Sequence, residues 1–270
     1  MLARSLTILI AAPLVLALIG RMGPGIFFLL ALLVGLTALY EFYAMALPRA
    51  TKAERCAGLL LGALVLAAGY VDAALGMAGV LATGTCLAAF MLIFTGYICL
   101  SRQKVIPFEQ VSTLFFGVFY VALLFAFLLL LRGRPDGVAL VFFLLFVTWA
   151  GDTGAYLTGR TLGRHLLCPR VSPAKTIEGS CGGFIFSIAV ALVCQMTFLK
   201  HVSLMHCLIM AAGINMLNQI GDLSESAIKR SCNVKDSGKI LPGHGGILDR
   251  IDSLLFAAPF LYYYLLLLSC

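Results

Sequence analysis

Nine apolar runs, at residues 5–20, 24–46, 57–71, 75–100, 111–131, 137–158, 180–199, 203–221 and 250–268, take up most of this chain. At helical rise, about 20 apolar residues match the roughly 30 Å hydrocarbon core of a bilayer. Within hydrocarbon every backbone N–H and C=O must find a partner inside the chain, and runs this long and apolar do so as α-helices. The expectation is an all-α fold: a polytopic integral membrane protein of about nine transmembrane helices. Several runs are short or joined by brief turns, so eight or ten helices also fit. Only 11% of residues are charged and 61% are hydrophobic, whereas a soluble domain carries about 25% charged residues. The first run follows Arg4 and lacks a small-x-small cleavage site, so it reads as a retained helix rather than a secretory leader.

Charge placement gives an independent check on nine. With the connecting segments sorted by side, 15 of the 19 Lys and Arg residues fall on the side of the N-terminus and only 4 on the other. The excess of bases on cytoplasmic loops then puts the N-terminus in the cytoplasm. The net charge of +7 does not indicate nucleic acid, because the bases lie in short patches between apolar runs. The nine cysteines form no CxxC pair, and most sit in apolar surroundings where a thiol behaves as a small hydrophobe. Neither repeats nor linkers divide the chain. It reads as residues 1–135, about five N-terminal helices, and residues 136–270, C-terminal helices carrying a cytoplasm-facing catalytic site.

Three segments hold polar groups that a membrane protein does not keep without cause, and all three fall on the predicted cytoplasmic side. The densest runs from Asp222 to Asp252 and contains five of the chain's 19 bases (Lys229, Arg230, Lys235, Lys239, Arg250) and five of its 12 acids (Asp222, Glu225, Asp236, Asp249, Asp252). Acids that hold a divalent cation, bases that hold phosphates and glycine between them point to phosphate chemistry. At 100° per residue, Asp222, Ser226 and Lys229 lie within about 60° of arc, a stripe that must face the bundle interior or a wet cavity. Asn215 and Asn218 precede it, and for Asn215 an interhelical hydrogen bond is an equal alternative. In the following loop, Gly243, Gly245 and Gly246 bracket His244, which is open between proton carrier and phosphate donor. Asp249 and Asp252 lie three apart at the start of the last helix, and a capping role is assigned to Asp252 or Ser253 rather than Asp249.

The third segment holds Asp152 in Gly-Asp-Thr-Gly-Ala-Tyr, followed by Ser172-Pro173-Ala174-Lys175-Thr176-Ile177-Glu178-Gly179. Ser172-Pro173 reads as an N-cap with proline in the first helical position. Lys175 and Thr176 at such a helix start are candidates to meet phosphates, although the spacing is not that of a P-loop. The glycines at 151, 154, 159 and 163, with those at 179, 182 and 183, predict close helix packing by small residues.

The run from Ser226 to Asp252 resembles the signature of the phosphatidate cytidylyltransferase (CDP-diacylglycerol synthase) family, and the likeness extends over roughly residues 148–255. The resemblance implies a homodimeric, polytopic helical enzyme that needs Mg²⁺ and condenses CTP with phosphatidate in the bilayer to give CDP-diacylglycerol and pyrophosphate. It implies that Asp222 and Asp249 bind the metal centre, where a second cation would complete a paired-metal arrangement. It implies that Ser226, Lys229, Arg230, Lys235 and Asp236 lie near substrate phosphates. Ser226, Arg230, Lys235 and Asp236, with Arg250, Lys175, Thr176 and Asp152, make up the expected substrate-binding set. Lys229 and His244 join the two aspartates as candidate catalytic groups. The expected location is a bacterial-type cytoplasmic membrane with the active site facing the cytoplasm. Two rivals stand beside this reading: a transporter, since intramembrane Asp and Asn also mark ion paths, and a CTP-using relative with another lipid acceptor, such as a polyprenol kinase.

Overall fold

The structure, a computed structural model, describes residues 16–17, 19–100, 108–238, 240 and 245–268. Eight helices long and apolar enough to cross a membrane occur among them. They are α1 (Pro24–Ala46), α2 (Lys52–Leu75), α3 (Val80–Leu100), α4 (Phe108–Gly133), α5 (Gly137–Leu162), α6 (Ile177–Thr197), α7 (Leu204–Ser231) and α8 (Leu248–Leu268). These correspond to eight of the nine apolar runs. The remaining run, at 5–20, lies mostly outside the described residues, which include only 16, 17, 19 and 20 of it. Large apolar side chains remain exposed along the helices, Leu33, Met91, Ile185 and Met216 among them. In water such faces would be unfavourable, but they suit hydrocarbon.

Local chemistry sets the helix ends. Thr51 and Glu54 form a reciprocal capping box at the start of α2. Asp72, fully buried near the end of α2, accepts the backbone N–H groups of Leu81 and Ala82 at 3.0 and 2.8 Å, so it serves the first turn of α3. Within α4 the residues Val118–Leu123 form a π-helical stretch. Just before it, the Tyr43 hydroxyl donates to the Leu114 carbonyl at 2.7 Å and supplies a partner where the ladder widens.

The chain divides into two compact units. The first comprises residues up to Arg134 together with Asp236–Arg250, and the second comprises Pro135–Lys235 together with the chain from Ile251. In the first, α2 packs against α1, α3 and α4.

In the second unit, α5 and α6 meet through the predicted glycines. A Cβ at Gly183 would lie 2.8 Å from the Gly151 carbonyl oxygen, and one at Gly154 would lie 2.9 Å from the Gly182 carbonyl oxygen. Between these two helices runs a short antiparallel hairpin, β1 (Leu166–Cys168) and β2 (Ser172–Thr176). Glu178 braces it, accepting the N–H groups of Arg164 and His165 at 3.1 and 3.2 Å and contacting the His165 ring.

The hairpin corrects the expectation for Ser172-Pro173. Both residues belong to β2, and the N-cap of α6 is Thr176, whose hydroxyl accepts the Gly179 N–H at 3.1 Å. Proline's missing donor is harmless at the start of a two-stranded edge.

Candidate functional site

The polar stripe of the second unit sits on α7, and that helix continues ten residues past the apolar run that announced it. It ends in a Schellman turn: Asn233 takes the left-handed conformation (φ 57°), Asn233 N–H donates to Arg230 O, and Val234 N–H donates to Lys229 O, each at 3.0 Å. Asp222, Ser226 and Lys229 are therefore all helical, and the Ser226 hydroxyl is 3.5 Å from Asp222 Oδ1. Lys175 on β2 reaches the same carboxylate, with Nζ 2.5 Å from Asp222 Oδ2. Lys229 pairs with Glu225 one turn back, whose side chain is 1% exposed. Desolvating a carboxylate to that degree requires a cation or equivalent partners, and Lys229 supplies one.

Two more aspartates belong to this group. Asn218 Nδ2 donates to Asp152 Oδ1 at 2.8 Å. Asp252 is buried and close enough to Asp222, Lys229 and Asp152 to feel their charges. The backbone of α8 comes equally near, since a Cβ at Gly221 would lie 2.7 Å from the Asp252 carbonyl oxygen. The capping role expected of Asp252 or Ser253 is overturned here. Helix α8 begins at Leu248, so both residues sit in its second turn, and it is Asp249 that occupies the first. Neither Asp252 nor Glu225 was among the candidate site residues: the first reads in the sequence as a cap, and the second is only one of the five acids of its segment.

Above the aspartates, Asn215 acts as the interhelical alternative foresaw. Its Nδ2 donates to Ser187 Oγ at 2.9 Å, and Ser187 in turn donates to the Val147 carbonyl at 2.9 Å. Gln219 and Ser180 extend this network across α6 and α7. Satisfied polar chains of this kind fix helix register in an apolar bundle.

In the first unit Asp249 is held by backbone donors. The Ser237 N–H lies 3.0 and 3.3 Å from its two carboxylate oxygens, and the Gly246 N–H lies 2.7 Å from Oδ2. Gly245 beside it has φ 80°, a conformation that favours glycine. The other candidates are exposed: Arg230 and Lys235 in the second unit, Asp236 and Arg250 in the first. Asp152 is exposed as well, Thr176 is occupied as a cap, and His244 lies outside the described residues.

Among the described residues no three His, Cys, Asp or Glu side chains form a ready-made cage for a metal ion. Mg²⁺ seldom needs one, since it keeps water and is bound through one or two carboxylates plus substrate phosphates. The donors here are all oxygen, as a hard cation prefers. Asn218 Oδ1, 1% exposed as a residue and next to Asp152, finds no hydrogen-bond partner among the described residues. The residues fit the ion.

Helices of membrane-spanning length, with aspartates, lysines and amide oxygens grouped between them, define a polytopic membrane protein that carries a polar cluster. The profile of the cytidylyltransferase family matches residues 2–268, and the chain belongs to that family. It is 39% identical over 184 residues to a phosphatidate cytidylyltransferase of Bacillus subtilis (strain 168), covering 68% of each chain. It is 42% identical over 175 residues to the protein of that name from Staphylococcus epidermidis (strain ATCC 12228 / FDA PCI 1200), and 38% identical over 175 residues to that of Staphylococcus aureus (strain COL). Each of these two matches covers 65% of this chain and 66% of the relative, so the aligned stretch spans about two thirds of the curated relatives.

Proposed function

We propose that this integral membrane protein is a CTP:phosphatidate cytidylyltransferase, forming CDP-diacylglycerol and pyrophosphate in phospholipid biosynthesis. The observation that carries the proposal is the grouping of Lys175, Lys229, Asp222, Asp252 and Asp152 within one helical unit of a cytidylyltransferase-family chain. A phosphate oxygen of phosphatidate attacks the α-phosphorus of CTP. One phosphorus–oxygen bond forms there, the bond to the β-phosphate oxygen breaks, and pyrophosphate leaves. The nucleophile is already ionised near neutral pH, so no strong general base is required.

What remains is positioning and charge screening. Lys175 and Lys229 offer cations to the phosphates, with Arg230, Lys235 and Arg250 as exposed bases for the incoming nucleotide. Ser226, Thr176 and Asp236 are polar neighbours in the substrate-binding set. Asp222 and Asp249 are the residues that would hold Mg²⁺, whose chemistry when bound is to neutralise phosphate charge. The lipid keeps its acyl chains in the bilayer and presents only its headgroup. We place the site on the cytoplasmic face of a bacterial-type inner membrane, where CTP is available, in a homodimer. Two contacts support a common side for the polar segments: Lys175 meets Asp222, and Glu41 near the end of α1 meets Leu248. By the charge count all four positions belong with the N-terminus.

The test is purified protein in detergent with labelled CTP and phosphatidate, scored for liponucleotide and pyrophosphate. Formation of both in equal amounts is the expected outcome. Product with a polyprenol in place of phosphatidate, or solute flux into sealed vesicles without nucleotide turnover, would refute the assignment.

A further inference from the structure

Glu41 is a lone acid in an otherwise apolar stretch of α1, and its residue is 3% exposed. A carboxylate so placed is costly unless something uses it. Its Oε2 accepts the Leu248 N–H at 2.9 Å and lies 3.4 Å from the Ser237 hydroxyl. Its Oε1 finds no hydrogen-bond partner among the described residues. Two glycines let it in: a Cβ at Gly238 or at Gly246 would come within 2.6 or 2.7 Å of the Glu41 carboxyl carbon.

Asp72 shows what a purely structural buried acid does in the same unit, since its two oxygens cap α3. Glu41 differs in what it holds. Ser237, which donates its hydroxyl to Glu41, also gives its N–H to Asp249 and takes the Asp249 N–H on its hydroxyl oxygen at 3.3 Å. Gly246, packed on Glu41, gives its N–H to Asp249. Leu248, whose N–H Glu41 accepts, precedes Asp249 in the chain. Each of these supports of Asp249 is thus tied to one carboxylate 208 positions earlier.

We infer that Glu41 is a positioning residue for the metal-binding loop: it fixes Ser237, Gly246 and the first turn of α8, and through them the aim of Asp249. The inference rests on the reading of Asp249 as a metal-binding carboxylate. Groups that orient a ligand typically change metal affinity by about 10- to 100-fold when removed.

The experiment compares full-length wild type, Glu41→Ala, Glu41→Gln, Ser237→Ala and Asp249→Asn in detergent. Two readouts besides turnover are followed: hydrogen exchange of peptides covering 236–250, with peptides from α2 as reference, and Mn²⁺ binding by electron paramagnetic resonance. Glu41→Ala is expected to speed exchange in 236–250 by about tenfold or more while α2 is unchanged, and to weaken Mn²⁺ binding by about 10-fold or more. Glu41→Gln keeps an acceptor for Leu248 and Ser237 and should recover part of both losses. Should the alanine variant not fold, Glu41→Gln and Ser237→Ala carry the same comparison. Wild-type exchange and wild-type Mn²⁺ affinity in these variants would overturn the inference. Wild-type Mn²⁺ affinity in Asp249→Asn would instead remove Asp249 from the metal site, while the exchange data still judge whether Glu41 holds the loop.

Discussion

Lys175 Nζ lies 2.5 Å from Asp222 Oδ2, joining the hairpin strand β2 to the polar stripe of α7. Their side chains are 26% and 37% exposed, so the pair adds little to stability. Its worth is in keeping a cation beside the carboxylate that the proposed reaction needs. Lys175→Met should therefore lower kcat by about 10²-fold, with a thermal midpoint close to wild type. Steady-state assays beside thermal unfolding of the same preparation check both parts, and an equal fall in stability and activity would make the lysine structural.

Asp222→Asn and Asp249→Asn should each reduce turnover by about 10²-fold or more while the yield of folded protein stays near wild type. Asp222 is partly exposed and Asp249 is supported by backbone donors that an amide oxygen still accepts, so neither change leaves a buried hole. Near-normal kcat in either variant would remove that residue from the metal-binding pair.

Activity should depend strictly on a divalent cation, falling to background after exhaustive chelation and returning with Mg²⁺. The described residues include no cage of three His, Cys, Asp or Glu ligands, so the ion is expected to exchange readily. Full turnover after chelation would contradict the proposed metal role.

The parts of this molecule that hydropathy dictates are legible in the chain, and so is the stripe of Asp222, Ser226 and Lys229. Lipid leaves the backbone one choice, and a 3.6-residue period then puts those three on one face. The β1–β2 hairpin was not legible, because strands of three and five residues show no period long enough to outvote a Ser-Pro helix-start signal. Asp252 was misread for a related reason. The apolar run starts at 250, but α8 begins two residues earlier, which shifts Asp252 out of the capping position and beside Asp222. Glu41 carried a usable signal, a single acid within an apolar membrane span, but its partners lie about 200 residues away and no local pattern names them.

The packing of α5 on α6 predicts a graded response to added methyl groups. A Cβ at Gly183 would meet the Gly151 carbonyl oxygen at 2.8 Å, and backbone cannot step aside as a flexible side chain can. Gly183→Ala should cost about 1–3 kcal/mol and lower the thermal midpoint in detergent. Gly84 on α3 has no atom within 4 Å of an added Cβ, so Gly84→Ala should be neutral or slightly stabilising. An indifferent Gly183→Ala would show that the close approach of α5 and α6 is wrong, and a destabilised Gly84→Ala would show that the open space beside α3 is wrong.

Topology gives the last prediction. On the proposed topology, the 15-to-4 distribution of Lys and Arg would put the N-terminus and the segment after α7 on the cytoplasmic side. Lys235 is exposed just beyond the Schellman turn that ends α7, where a side-chain reporter disturbs no packed contact. A cysteine at that position, in a background whose native cysteines are replaced, should react with a membrane-impermeant maleimide in inverted vesicles and stay unlabelled in intact cells. A cysteine at Lys200, in the segment between α6 and α7, should behave in the opposite way. If both label from one side, the helix count between them is in error by one. If each labels from the side opposite to expectation, the whole bundle is inverted and CTP would have to reach the site from outside the cell.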